Sequence, residues 1–311
     1  MTTTLTGTGT DTGEQGSQGR QGRQGRQGRQ DEQGGAIGAA PVRALGAAPS
    51  ALRLGLARGA LETRQFFRSR AQMFFTFSMP VVMLLLLGVI FPYKDPASGV
   101  STQQIYTTGM IGVGIMGSSL QSLSLQIAGE RRNGTLKRLR GTPLPKSSYF
   151  IGKIVMVLVS SLGQGAVLLG VGRLFFGVRL PVDLAHWLTL GWVYLLGVTG
   201  CSLLGIAYSN LMRGSDSGAV AMLPMMVLQF ISGVFVIFSQ LPHTLQVVAS
   251  FFPLKWICQG MRSALLPQAY AATEPAGGWE HGRTALVLGV WAAAGLLLCL
   301  RTFRWKSRED G

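Results

Sequence analysis

The sequence predicts an all-α polytopic membrane protein. It would have six transmembrane helices, both termini cytoplasmic, an N-terminal interfacial helix, and short re-entrant helices between spans five and six. Three observations carry this reading. Six long segments are almost free of charge. Charged residues make up only 13% of the 311, against about 25% in an ordinary soluble protein. And 22 of the 28 lysines and arginines fall on one side of the alternating topology.

Residues 1–48 are low-complexity: a Thr/Gly-rich start, four Gln-Gly-Arg triplets at 18–29, then a Gly/Ala stretch. Such composition cannot bury enough apolar surface to offset the entropy of ordering, so a disordered cytoplasmic arm is expected. No apolar core of a signal peptide follows the early residues. Residues 49–70 differ. Leu52, Leu54, Leu56, Leu61, Phe66 and Phe67 are interleaved with Arg53, Arg58, Arg64, Arg68 and Arg70. That pattern predicts an amphipathic helix at the membrane interface, its arginines at lipid phosphates and its leucines in the acyl boundary.

The transmembrane domain is expected over 71–300, with spans near 71–91, 105–128, 150–172, 186–208, 218–238 and 284–300. Crossing a hydrocarbon core takes about 20 helical residues, and all but the last span reach that. The alternation of a β-barrel is absent. Pro80 and Pro224 fall inside the first and fifth spans and would kink them. Gly109, Gly112, Gly114 and Gly117 in the second allow close helix approach. Between spans five and six, 239–283 carries an apolar run from Val247 to Ile257, interrupted by Pro253 and Lys255. It is too short to span; an amphipathic piece on the surface and a re-entrant hairpin both fit, and short helices re-entering the outer leaflet, broken at Pro253, are expected. A short basic cytoplasmic tail, 301–311, closes the sequence.

Orientation follows from the loops. With the N-terminus inside, the cytoplasmic segments hold 22 Lys/Arg and nine Asp/Glu, and the outer segments six and four. The net charge of +15 and pI of about 10.7 thus reflect topology rather than a nucleic-acid footprint, and no nucleic-acid partner is expected. Only the Gln-Gly-Arg arm keeps such a role open.

Composition also narrows the chemistry. The six spans contain no Asp or Glu, and their only Lys or Arg is Lys153, at the cytoplasmic end of the third, where it can snorkel. Asp183 and His186 sit one turn apart at the outer edge of the fourth span, as a cap. The three histidines and three cysteines follow no ligand spacing, and no hydrolase or metalloprotease motif is present. Neither catalysis nor a bound cofactor is expected. Gly152-Lys153 lacks the rest of a phosphate-binding loop, so energy for uphill transport must come from a partner. Candidate path-lining residues are Ser119, Ser122 and Gln126 on one face of the second span, with Gln229, Ser232 and Phe235 in the fifth. Met225, Met226 and Phe230 would face a dimer interface. All could equally join helices.

The longest cytoplasmic loop carries the most specific signal. It runs Glu130-Arg131-Arg132-Asn133-Gly134-Thr135-Leu136-Lys137-Arg138-Leu139-Arg140-Gly141-Thr142-Pro143. Leu136 and Leu139 lie one turn apart, flanked by Lys137, Arg138 and Arg140: a short basic helix with an apolar edge. This run, with Gly152-Lys153, resembles the signature of ABC type-2 permeases, the membrane subunits of ATP-binding-cassette exporters. Glu130, Arg131, Gly134, Thr135, Leu136, Leu139, Thr142 and Pro143 match, while Arg132 replaces a second acid. A second stretch is similar to the family as well: Ile231 to Phe235, Leu241-Pro242, Phe252-Pro253-Leu254 and Arg262.

The resemblance implies a pair of six-span subunits, a homodimer or a mixed pair, bound to two ATPase subunits that hold ATP and Mg. Residues 49–70 look like the family's connecting helix. The segment with Glu130, Arg131, Gly134, Thr135, Leu136, Arg138, Leu139, Thr142 and Pro143 looks like its ATPase-coupling helix. The form with Lys137 to Arg140 and Thr142 to Pro145 is most similar to the drug- and antibiotic-export branch, daunorubicin-type. Expected cargo is therefore a hydrophobic small molecule. A lipid-linked glycan exporter of the same family, or an ATP-independent channel or carrier, are the alternatives.

Overall fold

A computed structural model of the chain describes residues 50–302, apart from 143, 179, 182 and 213–216. The expected arm at 1–48, the tail beyond 302 and Pro143 lie outside the described residues. Among those described, every regular element is helical.

Helix α1, Ala51–Arg68, starts where Ser50 Oγ accepts the Arg53 N–H at 3.3 Å, the usual device for an orphan donor at a helix start. It breaks at Ser69, and α2 (Arg70–Ile90) follows with Pro80 inside it. A capping box opens α3, Thr102–Met116: Ser101 Oγ accepts from the Gln104 N–H while Gln104 Oε1 accepts from the Ser101 N–H. A π-helical turn, Gly117–Ser122, joins α3 to α4, Leu123–Arg132. At that turn α7 comes very close, because Gly205 has no Cβ; one added there would meet the Ser119 carbonyl oxygen at 2.3 Å. Short helix α5, Thr135–Arg140, is followed by α6, Lys146–Phe176, which ends on left-handed Gly177. Then come α7 (Leu184–Tyr208) and α8 (Ser217–Ile231). Asp183 precedes α7 and lies 3.7 Å from His186 Nδ1, but its side chain makes no cap hydrogen bond, so the expected cap is not formed.

Among the described residues, four helices are long and apolar enough to cross a membrane: Arg70–Ile90, Lys146–Phe176, Leu184–Tyr208 and His281–Arg301. The expected second span is helical from Thr102 to Arg132 but interrupted by the π turn. The expected fifth span, 218–238, is shorter than predicted. Its helix stops at Ile231, because Gly233 takes φ +75 and turns the chain into a 3₁₀ piece, Phe238–Gln240.

The expected broken pair between spans five and six is present as α9, His243–Ser250, and α10, Pro253–Leu265. Pro253 stands in the first turn of α10, where its missing N–H costs nothing. Carbonyls freed at the break are taken up by two indoles: Trp256 donates to Ser250 O (2.7 Å) and Trp291 to Phe251 O (2.6 Å). All thirteen residues of α10 are buried, against α3, α7 and α11 (His281–Thr302). A 3₁₀ segment, Gln268–Thr273, leads back over α10 to α11. The main core runs through the bundle, from Tyr149 and Leu136 at the α5 end to Trp256 and Leu265 at the α10 end.

Candidate functional site

The α5 end of the bundle gathers most of the residues singled out in the long loop. Gly134, at φ +70, occupies the left-handed region that side chains rarely adopt, so the chain can reverse there between α4 and α5. Thr142 Oγ1 donates to Leu139 O at 2.6 Å and closes the far end of α5. Within this six-residue helix the two edges do different things. Leu136 is 1% exposed and belongs to the same buried cluster as Ile127 and Tyr149, and Leu139 packs against that cluster. Lys137 and Arg138 are exposed. The apolar edge is therefore spent on holding α5 to its own bundle, and the basic edge faces outward. Thr135 is half-buried beside the turn. Arg131 also points inward, donating to Asn210 Oδ1 (2.9 Å) and Ser209 O (3.2 Å) and so tying the end of α4 to the end of α7.

Glu130 is the hub of a charge network that joins three helices. It accepts from Tyr149 OH at 2.8 Å and from Lys153 Nζ at 2.5 Å. Lys153 in turn lies 3.0 Å from Glu62 Oε2, and Glu62 accepts from Arg58 Nε at 2.9 Å. The Arg58 guanidinium closes the ring by covering the Tyr149 face, 4.9 Å from its centroid. Lys153 is 2% exposed. The expectation that it snorkels outward is corrected: two carboxylates, one from α1 and one from α4, neutralise it in place, which makes burial tolerable.

Helix α1 reaches this network because it packs along α6. Gly55 and Gly59 make the approach possible. A Cβ on either would meet Ile151 or Val155 side-chain atoms at 2.7 Å and an α6 carbonyl at 3.2 Å. Ser148 Oγ adds a hydrogen bond to Ala51 O at 2.8 Å. Small residues four apart are the known means of bringing two helix backbones together. Of the five arginines expected at lipid phosphates, Arg53, Arg64, Arg68 and Arg70 are exposed, while Arg58 turns in to Glu62. Leu52, Leu56 and Phe67 are exposed on a neighbouring stripe, so α1 has a packed face, an apolar face and a basic face. Sequence reasoning missed Glu62, Tyr149 and the Gly55/Gly59 pair. The four-residue glycine spacing was the available signal for the helix contact.

The expected path-lining residues differ in burial. Ser119 is fully buried under the π turn, with Oγ donating to Ile115 O, and Ser232 is buried at the end of α8. Ser122, Gln126, Gln229 and Phe235 are half-buried. On α8, Met225 packs inward, whereas Met226 and Phe230 are exposed. The residues of the second stretch do converge. Arg262, on α10, donates from Nη1 to the Gly233 carbonyl at 3.4 Å and from Nε to Glu274 at 2.7 Å. Cys201, Cys258 and Cys299 are buried free thiols. Among the described residues no group of three or more His, Cys, Asp or Glu stands together to hold a metal.

What the α5 end offers, then, is mechanical. A short helix shows its basic edge outward and is held by Leu136 and Leu139, while α4 just before it is tied by charge to α6 and α1. Residues 94–301 match the family model described as ABC-2 family transporter protein, 208 of the 311 positions. The match includes α3 to α11 and excludes α1 and α2. No curated protein matches the chain.

Proposed function

Because the chain belongs to the ABC-2 family of transporters, we propose that it is the membrane-spanning subunit of an ATP-driven exporter. Its cargo in this reading is a hydrophobic small molecule of drug or antibiotic type, moved out across the cytoplasmic membrane. Hydrolysis takes place on two separate ATPase subunits, which hold the ATP and Mg, and a second permease subunit completes the pair. The observation that supports this best is the division of labour in α5, with Leu136 buried and Lys137 and Arg138 exposed. A helix anchored on one edge and basic on the other suits docking into a cleft of an ATPase. Displacement of α5 then moves α4, and the Glu130–Lys153–Glu62 chain carries the movement to α6 and α1.

This reading places the α5 end in the cytoplasm, which agrees with its concentration of lysine and arginine. It takes Thr102–Arg132 and α8 as the second and fifth spans, and α9–α10 as a pair that re-enters the outer leaflet. The burial of Ser119 and Ser232 favours an apolar cargo over a lipid-linked glycan, which would need a polar groove.

The test uses the double substitution Lys137→Glu and Arg138→Glu. Membrane insertion should be unchanged, because both side chains are exposed, while co-purification of the ATPase and export are lost. Failure of any ATPase to co-purify with the unsubstituted protein in mild detergent would sink the proposal.

A further inference from the structure

Away from α5, the opposite end of the bundle contains a cavity of about 500 Å³ between α9, α10 and the chain leading into α11. That size suits a small organic molecule. Its walls are unlike the rest of the molecule. Phe238, Phe251 and Trp256 give it an aromatic lining, and Lys255, Glu280 and Arg283 give it charge.

Lys255 is the unusual member. It is 3% exposed, yet its partners do not saturate it. Nζ donates to Gln259 Oε1 at 2.6 Å, but its carboxylate, Glu280 Oε2, is 3.7 Å away, beyond hydrogen-bond reach. The remaining neighbours are aromatic faces, Trp256 at 3.4 Å and Phe238 at 5.3 Å from the ring centroids. Those faces attract a cation but accept no strong hydrogen bond. Glu280, by contrast, is heavily engaged, taking Arg283 on one oxygen and Gln259 at 3.5 Å on the other. At its charged wall the donors outnumber the acceptor, because Glu280 is shared by Lys255, Arg283 and Gln259. Buried Lys255 and exposed Arg283 share that one carboxylate, with His243 at the wall.

We propose that this cavity binds an anionic amphiphile, with a phosphate, sulfate or carboxylate head between Lys255 and Arg283 and an apolar body against Phe251 and Val247. An organic cation is disfavoured because the Lys255 ammonium already occupies the aromatic faces and Glu280 is taken. The head group belongs to an anionic lipid or to a soluble amphiphile, since both present the same chemistry.

The experiment uses the full chain in phosphatidylcholine nanodiscs, with hexyl sulfate as the probe and hexyltrimethylammonium as its charge-reversed control, read by calorimetry. Hexyl sulfate should bind and the cation should not. Lys255→Gln and Arg283→Gln should each weaken hexyl sulfate by about tenfold, the loss of one charge-assisted hydrogen bond. Arg283 is 74% exposed, so its substitution leaves the fold intact even if that of Lys255 does not. Adding phosphatidylglycerol to the nanodiscs assigns the source: competition with hexyl sulfate marks a lipid head group, and unchanged binding marks a soluble anion. Absence of hexyl sulfate binding, binding of the cation at equal strength, or indifference to Arg283→Gln overturns the proposal. The measurement needs neither ATPase nor transport, so its failure leaves the proposed function standing.

Discussion

The two ends of the bundle both bury charge, but they use it differently. At the α5 end, Arg58, Glu62, Glu130 and Lys153 come from three helices far apart in sequence, and Glu130 keeps 23% of its side chain exposed. At the α10 end, Arg262 and Glu274 are twelve residues apart and each only 3% exposed. They strap one loop onto one helix. A network that links separate helices, and in which buried Lys153 keeps one carboxylate when it parts from the other, can loosen and re-form while those helices shift. A pair sealed within one layer cannot, because parting it strands a charge in a low-dielectric interior. The first arrangement suits transmission of movement and the second suits a fixed wall.

Four experiments press on that contrast. Arg262→Met should be the most damaging. It leaves Glu274 buried without its partner, at a cost of about 3–5 kcal/mol, seen as a large fall in Tm. The double substitution with Glu274→Gln should recover much of it, and no recovery would mean that the pair is not the unit of stability. Gly59→Val comes next. The added side chain collides with Val155 and the Gly152 carbonyl, and overpacking of this kind costs about 1–3 kcal/mol. Limited proteolysis should then release α1 while α10 stays protected; equal loss at both ends would contradict the separation drawn here. Glu130→Gln removes two charge-assisted bonds but leaves Lys153 with Glu62, so about 1–2 kcal/mol is expected. Its larger consequence is functional: the ATPase should remain bound while transport is uncoupled from hydrolysis.

The fourth experiment concerns pH. Burial pushes Lys255 down to about 8, with Glu280 and Glu274 drawing it back up and Arg262 opposing them. His243 and Arg283 are the other titratable groups at the cavity wall. The unfolded chain therefore holds the extra proton between about pH 8 and the ordinary lysine value of 10.5. Stability should rise with pH across that window and gain nothing from Lys255 below it. Subtracting the profile of Lys255→Met should isolate a rise of about 3 kcal/mol; identical profiles would mean that the ammonium is not confined.

How much of this was legible in the sequence follows from range. The long apolar runs, the break at Pro253 and the short basic helix at 135–140 are local patterns, and each was readable. Membership of a transporter family was readable from the Glu130 to Pro143 run. The partnership of Glu62 with Lys153 was not, since nothing within a turn or two of either residue announces the other. Lys153 read as a snorkelling cation for the same reason: its two carboxylates arrive from other helices. Leu136 and Leu139 were readable as an apolar edge, but not the direction that edge faces, which depends on how Gly134 turns the chain. The fifth span was overestimated because apolar residues continue to Phe238, whereas the helix yields at Gly233.

The π turn at Gly117–Ser122 has a further consequence, one of phase. A helix carrying one residue more than its regular repeat presents everything downstream rotated by about 100°. Glu130 meets Lys153 and Tyr149 only in the rotated setting. Deleting one residue from the turn would straighten the helix and swing Glu130 off its partners. Arg131 would leave Asn210, and the outward edge of α5 would be re-aimed. The angular setting of the whole α5 end is thus fixed some ten residues away, by a single surplus position held against Gly205.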